Sequence, residues 1–476
     1  MFFVLVEKGL LKEVLDQALE KGGDFADIFV EYKKTTGISL EGGRVERVHS
    51  GTDVGAGIRV VSGDTTSYAY TNDLSREGLL QAAGIVAHAF SGPRKECSLD
   101  LRRLRPVVEF TIAERPDEVK TEQKARAVQE ADRAAREAGG DRIKQVIATY
   151  GDVVQKVVMA NSRGEYVEDE RIRTRFAVQV VAAEGSLIQT GYEAAGALAG
   201  FELLKEHQPA AMAEVAARRA LGLLEARPAP AGRMPVVMSG EAGGTMVHEA
   251  CGHGLEADLV QKGLSVYARK KGQKVAADIV TVIDDPTLPG RYGSYRFDDE
   301  GVPARRTVLI ENGELTDYMY DRVTASREER ESNGHGRRES YQHKPIPRMG
   351  NTYVAPGKMD PEEIIREVKN GLLVKKMGGG QVNTTTGDFV FDVAEGYLIV
   401  DGDVGPMVRG ATLAGNGPEV LRNVRMIGRD LGFTIGTCGK DGQGVPVSDA
   451  QPTMFIGELV VGGTGHAGSK GKVKRV

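Results

Sequence analysis

Glycine-bearing turns cut much of this chain into strand-length pieces, and no other feature restricts its fold so strongly. Between Asp27 and about Asn72, runs of Ile, Val, Thr and Tyr are interrupted at Gly42-Gly43 and at Ser62-Gly63-Asp64. Turn residues between β-branched runs predict a β-meander. Residues 143–200 repeat the pattern, with turns at Ser162-Arg163-Gly164 and Glu184-Gly185. Gly accounts for 61 of 476 residues, about twice the usual share, so tight turns and close backbone approaches are expected throughout.

Helical spacing frames these strands. Leu10, Leu11, Leu15 and Leu19 predict an opening helix stopped by Gly22-Gly23. Further helices are predicted near 75–90, from Pro116 to Gly139-Gly140 with Val128, Ala131, Ala135 and Ala138 on one face, and at about 209–226. Pro228-Ala-Pro230-Ala-Gly232 then breaks the pattern and reads as a linker. It divides the chain into an N-terminal α+β domain, residues 1–227, and a C-terminal β-rich domain, residues 233–476. Strands are predicted in the second at Met234–Met238, Thr307–Leu315, Val390–Val400 and Met454–Val460, with helices at 245–260 and 360–370. The predicted class is α+β: helices and a β-meander first, then a mainly antiparallel β domain carrying an active-site helix. Arg322–Arg348, with seven basic residues, is expected to be a solvated surface loop, the functional alternative being a substrate-gripping loop that uses Arg337 and Arg338.

Composition narrows the function. A net charge of −5 argues against nucleic acid, whose readers usually carry a basic excess. No apolar stretch approaches the roughly 20 residues needed to span a bilayer, so no membrane partner is expected. Met1–Val6 is apolar but is followed by Glu7 and Lys8, too short for a signal-peptide core. Cys97, Cys251 and Cys438 are odd in number and far apart, unlike a disulfide framework. A reducing cytoplasm is the expected compartment.

The strongest chemical signal is Val247-His248-Glu249-Ala250-Cys251-Gly252-His253-Gly254, which contains H-E-x-x-x-H inside an apparent helix. It has one residue more than the H-E-x-x-H of zinc peptidases. On a regular helix, positions i and i+4 differ by about 40° in direction, but i and i+5 by about 140°. Two imidazoles so placed cannot share one ion unless the helix is widened by a π-bulge or bent at Gly252 and Gly254. The bland alternative is two unrelated histidines beside an incidental Glu. Ser239-Gly-Glu-Ala-Gly-Gly244, a Gly-rich strand-to-helix turn just before, favours an active-site helix. A third metal ligand is needed, and the residues leave it open among Glu256, Asp258, His343, Cys438 and His466. Cys438 lies in a polar, Gly-rich loop, where it reads as a ligand, a nucleophile activated by Lys440, or neither.

Other motifs lack context. Gly463-Thr-Gly465-His-Ala-Gly468 has no room for the helix of a dinucleotide site. No P-loop and no G-x-S-x-G occurs. Gly378-Gly-Gly-Gln-Val-Asn-Thr-Thr-Thr-Gly387 reads as a turn whose hydroxyls pair with the backbone, in preference to an anion cradle.

Several separated blocks, in order, make the sequence resemble the TldD/PmbA family of metallopeptidases along nearly its whole length. They are His248-Glu-Ala-Cys-Gly-His253-Gly-Leu-Glu-Ala-Asp258, Gly293-Ser-Tyr-Arg-Phe-Asp-Asp-Glu-Gly301, Gly336-Arg-Arg-Glu-Ser-Tyr341, Pro347-Arg-Met-Gly-Asn-Thr-Tyr353, Gly378-Gly-Gly-Gln-Val382 and Gly415-Asn-Gly-Pro418. The N-terminal Asp24-Phe-Ala-Asp27 and Gly42-Gly-Arg-Val-Glu46 also fit. The resemblance implies Zn2+ held by His248, His253 and Cys438, with Glu249 as catalytic base. It implies an active TldD-type subunit, unfolded or short peptides as substrates, leader processing of modified peptides among them, and a homologous TldE/PmbA-type partner or a homodimer. The family's older label as a gyrase modulator supplies the alternative: a non-catalytic regulatory or binding protein with a structural metal. A structural site needs no base, so the intact Glu249 favours the enzyme. The basic tail from Lys470 has no counterpart in the resemblance.

Overall fold

In a computed structural model of the chain, which describes residues 5–94 and 100–465, the N-terminal meander is a seven-stranded sheet with very long strands. Its spine runs Thr65–Thr71, Arg44–Ser62, Phe25–Glu41, Ile143–Asn161 and Glu165–Glu184, all antiparallel, with Leu187–Ala197 beside the last. Arg102–Arg103 completes it, parallel to Glu165 and Tyr166. The spine strands from Phe25 to Glu184 that flank its centre have 17 to 20 residues, roughly 60 Å at 3.3 Å per residue. One face is therefore long enough for two helix pairs. Ala26, Ile28 and Val30 pack under Lys8–Ala18 and Arg76–Ala87, while Ile38 and Leu40 pack under Thr121–Gly139 and Pro209–Glu225.

The odd positions of the same strand point the other way, as the period of two requires. Phe29 packs with Phe297 and Tyr341. Asp27 holds Arg59, which reaches on to Glu300 at 2.7 Å, and Glu31 accepts the backbone N–H of Tyr341 at 2.9 Å. Arg171 pairs with Asp299, and Arg173 donates to the carbonyls of Tyr292 and Ser294. The back of the N-terminal sheet is thus fixed to the second half through buried, paired charges, which orient more than they stabilise.

The second half has two larger sheets. One has six strands in the order Glu314–Leu315, Thr307–Glu311, Val282–Asp284, Asn351–Val354, Gln443–Gln451 and Gly432–Lys440. The other joins Asn370–Val382, Gly232–Met238, Met454–Gly462, Thr412–Asn416 and Asp388–Val400, and the pairing of the last with the first closes these five into a barrel. Pairing is mainly antiparallel, with short parallel contacts such as Leu372–Val374 against Val236–Met238 and Asn351–Tyr353 against Ser448–Ala450. The class is α+β, as expected. No helix among the described residues is long and apolar enough to cross a membrane.

The structure corrects or refines three expectations. Pro116 starts a single 3₁₀ turn, Pro116–Glu118, and the helix begins at Thr121 because Val119 and Lys120 are extended. The Pro228–Gly232 cluster joins the two halves as packed chain: Arg227–Pro228 pairs with Val408–Arg409, and Ala229 is buried and bonded to Arg409 and Gly465. Arg322–Arg348 is solvated only in part: Ser326–Glu329 and Glu331 are exposed, but Ser332–Arg338 is buried, and its arginines are engaged within the protein and do not grip a substrate. Arg337 donates to the carbonyls of Met349 and Pro446, and Arg338 to that of Asp299, all deep between the layers. Backbone carbonyls, invisible to composition, solvate these guanidinium groups in place of water.

Candidate metal centre

The H-E-x-x-x-H segment folds as one irregular helical run. A short α-turn, Thr245–Val247, leads into a π-turn, His248–Gly252, and a 3₁₀ turn, His253–Leu255. The N–H of His253 bonds to the carbonyl of His248, five residues back. Of the two geometries the spacing allowed, this is the widened turn, and it brings both imidazoles to one face with ring centroids 4.9 Å apart. Glycine makes it fit. A Cβ on Gly252 would lie 2.2 Å from the sulfur of Met349, and one on Gly417 would lie 2.1 Å from the carbonyl oxygen of Ala250.

Cys438 arrives from the other side, on Gly432–Lys440, the outer strand of the six-stranded sheet. Its Sγ is 3.4 Å from His253 Nε2, and one donor atom from each of His248, His253 and Cys438 lies within 4.8 Å of the others. Zinc bonds of about 2.0–2.1 Å to nitrogen and 2.3 Å to sulfur in a tetrahedron imply a sulfur-to-nitrogen edge of about 3.6 Å. The donor set fits such an ion in chemistry and in spacing.

Two carboxylates fix the ring nitrogens that face away. His248 Nδ1 donates to Asp449 at 2.7 Å, and His253 Nδ1 donates to Glu256 at 3.1 Å. Both Nε2 atoms are thereby directed at Cys438, the arrangement that orients metal-binding imidazoles. Glu256 is itself held by Lys440 at 3.0 Å, which also bonds Asp258 at 2.6 Å. Burial alone would raise Glu256, but Lys440, His253 and Arg348 hold it down at about 2.

The donors share a consistent electrostatic pattern. Burial would raise the Cys438 thiol, yet the two imidazoles lower it to about 5. Burial would lower His253, yet Glu256 and the thiolate raise it to about 9, and Asp449 with Cys438 likewise raises His248 against burial. The pocket favours positive charge beside a thiolate, which a divalent cation supplies when it displaces those protons. Cys251, by contrast, is pushed up to about 12 by burial and bonds only the carbonyl of Val247.

Glu249 is half buried and lines the cleft beside His248 and His253, and burial raises its carboxyl against the pull of the two imidazoles. The cleft offers about 500 Å³ and also has Thr245, Gln381, Thr384 and Gly436 in its wall. Among the described residues, Gly432–Lys440 pairs only with Gln443–Gln451, so no strand is paired along its outer edge. Asn370–Val382 leaves Gly232–Met238 after Val374 and brings Gly380–Val382 to the opposite wall. The turn beyond is held by Asn383, which accepts the N–H groups of Thr385 and Thr386.

Of the other proposed third ligands, Glu256 and Asp258 serve Lys440, and His343 lies against Ser340. His466 falls outside the described residues, as does Cys97. Lys440 is occupied by carboxylates and does not activate the thiol. Sequence reasoning missed the role of Asp449 altogether, since nothing local links it to a histidine 201 positions away. The spacing of Glu256, three residues beyond His253, was the one available signal for the second orienting carboxylate.

Comparison with known proteins extends over the whole chain. Sequence profiles of the PmbA/TldA metallopeptidase domain 1, central domain and C-terminal domain match residues 26–89, 114–224 and 231–463. A Metalloprotease TldD homolog of Haemophilus influenzae is 36% identical, with 95% of this chain and 96% of that protein covered. A Metalloprotease of Methanothermobacter thermautotrophicus is also 36% identical, with 94% and 97% covered. The crystal structure of TldE from Thermococcus kodakarensis superposes with a TM-score of 0.74 at 19% identity, over 95% of this chain and 99% of that one.

Proposed function

Because this chain belongs to the PmbA/TldD family of metallopeptidases, we propose that it is a zinc-dependent peptidase of the TldD type, cutting unfolded or short peptides. The observation that carries this reading is Glu249 beside a His/His/Cys donor set in an open cleft, along a strand edge unpaired among the described residues. His248, His253 and Cys438 would hold the ion, which when bound supplies Lewis acidity toward the scissile carbonyl and its attacking water. Glu249 takes the proton of that water and returns it to the leaving nitrogen. Its raised carboxyl suits both steps, since the group must give the proton back.

An extended peptide adds beside Gly432–Lys440 through backbone hydrogen bonds that are largely blind to side chains. A folded domain must open locally before any stretch can lie there. Leader segments of modified peptides are one such class of extended substrate. The regulatory alternative with a structural metal is disfavoured by the site itself: structural zinc takes four protein ligands and a closed shell, whereas three donors here face a cleft. TldE shares the fold, which supports a homologous TldE/PmbA-type subunit as partner, with a homodimer as the other assembly; the cytoplasm is the proposed compartment.

Metal analysis of the purified protein, with parallel digestion of a stable globular protein and its unfolded form, tests the reading. One zinc per chain and selective cleavage of the unfolded form are expected. Absence of a stoichiometric transition metal, or equal cleavage of both forms while the native one stays folded, would remove it.

A further inference from the structure

Arg348 is the largest charged side chain near the donors that plays no part in the chemistry above. It is 0% exposed. One guanidinium nitrogen, Nη2, donates to the carbonyl of Cys438 at 2.5 Å, and Nη1 donates to that of Gln443 at 3.3 Å. Its Nε faces Glu256 Oε1 at 3.9 Å, and neither atom has another partner. The flanking residues grip the same parts. The carbonyl of Pro347 accepts from Lys440 Nζ at 3.1 Å, and Met349 fills the space over Gly252, where a Cβ would meet its sulfur. Three consecutive residues therefore touch the hairpin that carries Cys438, the carboxylate that orients His253, and the π-turn that brings the two histidines together.

We propose that Arg348 is a positioning residue of the metal centre: one side chain fixes the strand of Cys438 relative to Glu256, and through Glu256 the ring of His253. The proposal rests on the metal reading given above. A planar fork suits the task because it bonds two carbonyls at fixed angles while its remaining N–H faces the Glu256 carboxylate, which a single ammonium does not do. The ligands come from a helical run and from a strand, 185 positions apart in sequence for His253 and Cys438. No covalent or helical geometry sets their separation; Lys440, on the strand of Cys438, ties that strand to Glu256 at 3.0 Å, and Arg348 adds a second buried link through the Cys438 carbonyl.

The test uses the full chain and the metals Co2+ and Zn2+ alone. Arg348→Met and Arg348→Lys are compared with the wild type by chelator competition and by the thiolate-to-cobalt absorption at saturating Co2+, at a temperature where circular dichroism shows each folded. Arg219→Met is the control, removing a buried arginine that serves Glu193, Glu395 and the Tyr192 carbonyl far from the donors. Metal affinity should fall about 10–100-fold in Arg348→Met, the range for lost supporting contacts, with an altered cobalt spectrum. Arg348→Lys should keep the fold, fall between, and decide the matter if Arg348→Met does not fold. Arg219→Met should lose thermal stability without losing affinity. Undiminished affinity and an unchanged spectrum in folded Arg348 variants would overturn the proposal alone. Failure of the wild type to bind either ion would overturn the metal reading and this proposal with it.

Discussion

Replacing Asp449 with Asn isolates the contribution of an orienting carboxylate. His248 and Asp449 have side chains only 7% and 8% exposed, and their hydrogen bond is 2.7 Å long. Solvent therefore screens it little. Asparagine keeps the shape and an acceptor oxygen but loses the charge. A hydrogen bond to a charged partner contributes about 1.5–3 kcal/mol and a neutral one about 1 kcal/mol. The difference of about 0.5–2 kcal/mol falls on the basicity of His248 Nε2, which predicts a hold on zinc about 2- to 30-fold weaker, at about 1.4 kcal/mol per tenfold. Asp449→Ala also strands the buried Nδ1–H and frees the ring to turn, so its loss should be larger, on the order of 100-fold. Glu256 would be a poorer choice, because removing it also takes a charged partner from Lys440 and Arg348. Competition with a chromophoric zinc chelator, on variants shown to be folded, gives the ranking. If Asp449→Asn bound zinc as tightly as the wild type, or the alanine variant bound more tightly than the asparagine one, the orienting role of Asp449 would be refuted.

Glu249→Gln should keep the metal and the fold but lose about 10²–10⁴ in peptide hydrolysis, measured by turnover of an unfolded substrate; near-parental turnover would make Glu249 a bystander. In protein stripped of metal, Cys438 should alkylate with iodoacetamide down to a midpoint near pH 5, since the imidazoles favour its thiolate, while Cys251, pushed up to about 12 by burial, stays inert. A midpoint near that of an ordinary thiol, read by mass spectrometry of labelled peptides, would count against the paired donor geometry. Gly417→Ala should destabilise the fold by about 1–3 kcal/mol, the usual cost of overpacking, because its Cβ would meet the Ala250 carbonyl oxygen at 2.1 Å; an unchanged denaturant midpoint would refute the close approach.

Much of this protein was legible in its sequence because local periodicity carries the information. Runs of β-branched residues cut by glycine turns between Asp27 and about Asn72 predicted the meander, and the period of two within Phe25–Glu41 then sets Ala26, Ile28 and Val30 on the face opposite Phe29. The H-E-x-x-x-H spacing demanded a widened or bent turn, since a regular helix points its two histidines apart, and the π-turn His248–Gly252 answers that demand. Tertiary structure alone decided what lies opposite those local pieces. It brought the edge strand of Cys438 to His253 and put Asp449 behind His248. It also turned part of a polar segment expected in solvent into buried arginines bonded to carbonyls. The physical reason is that strand pairing and the burial of charge are settled by the free energy of the whole assembly, in which a guanidinium is at home wherever distant backbone oxygens and carboxylates replace its water, and no local run of residues records where those partners will be.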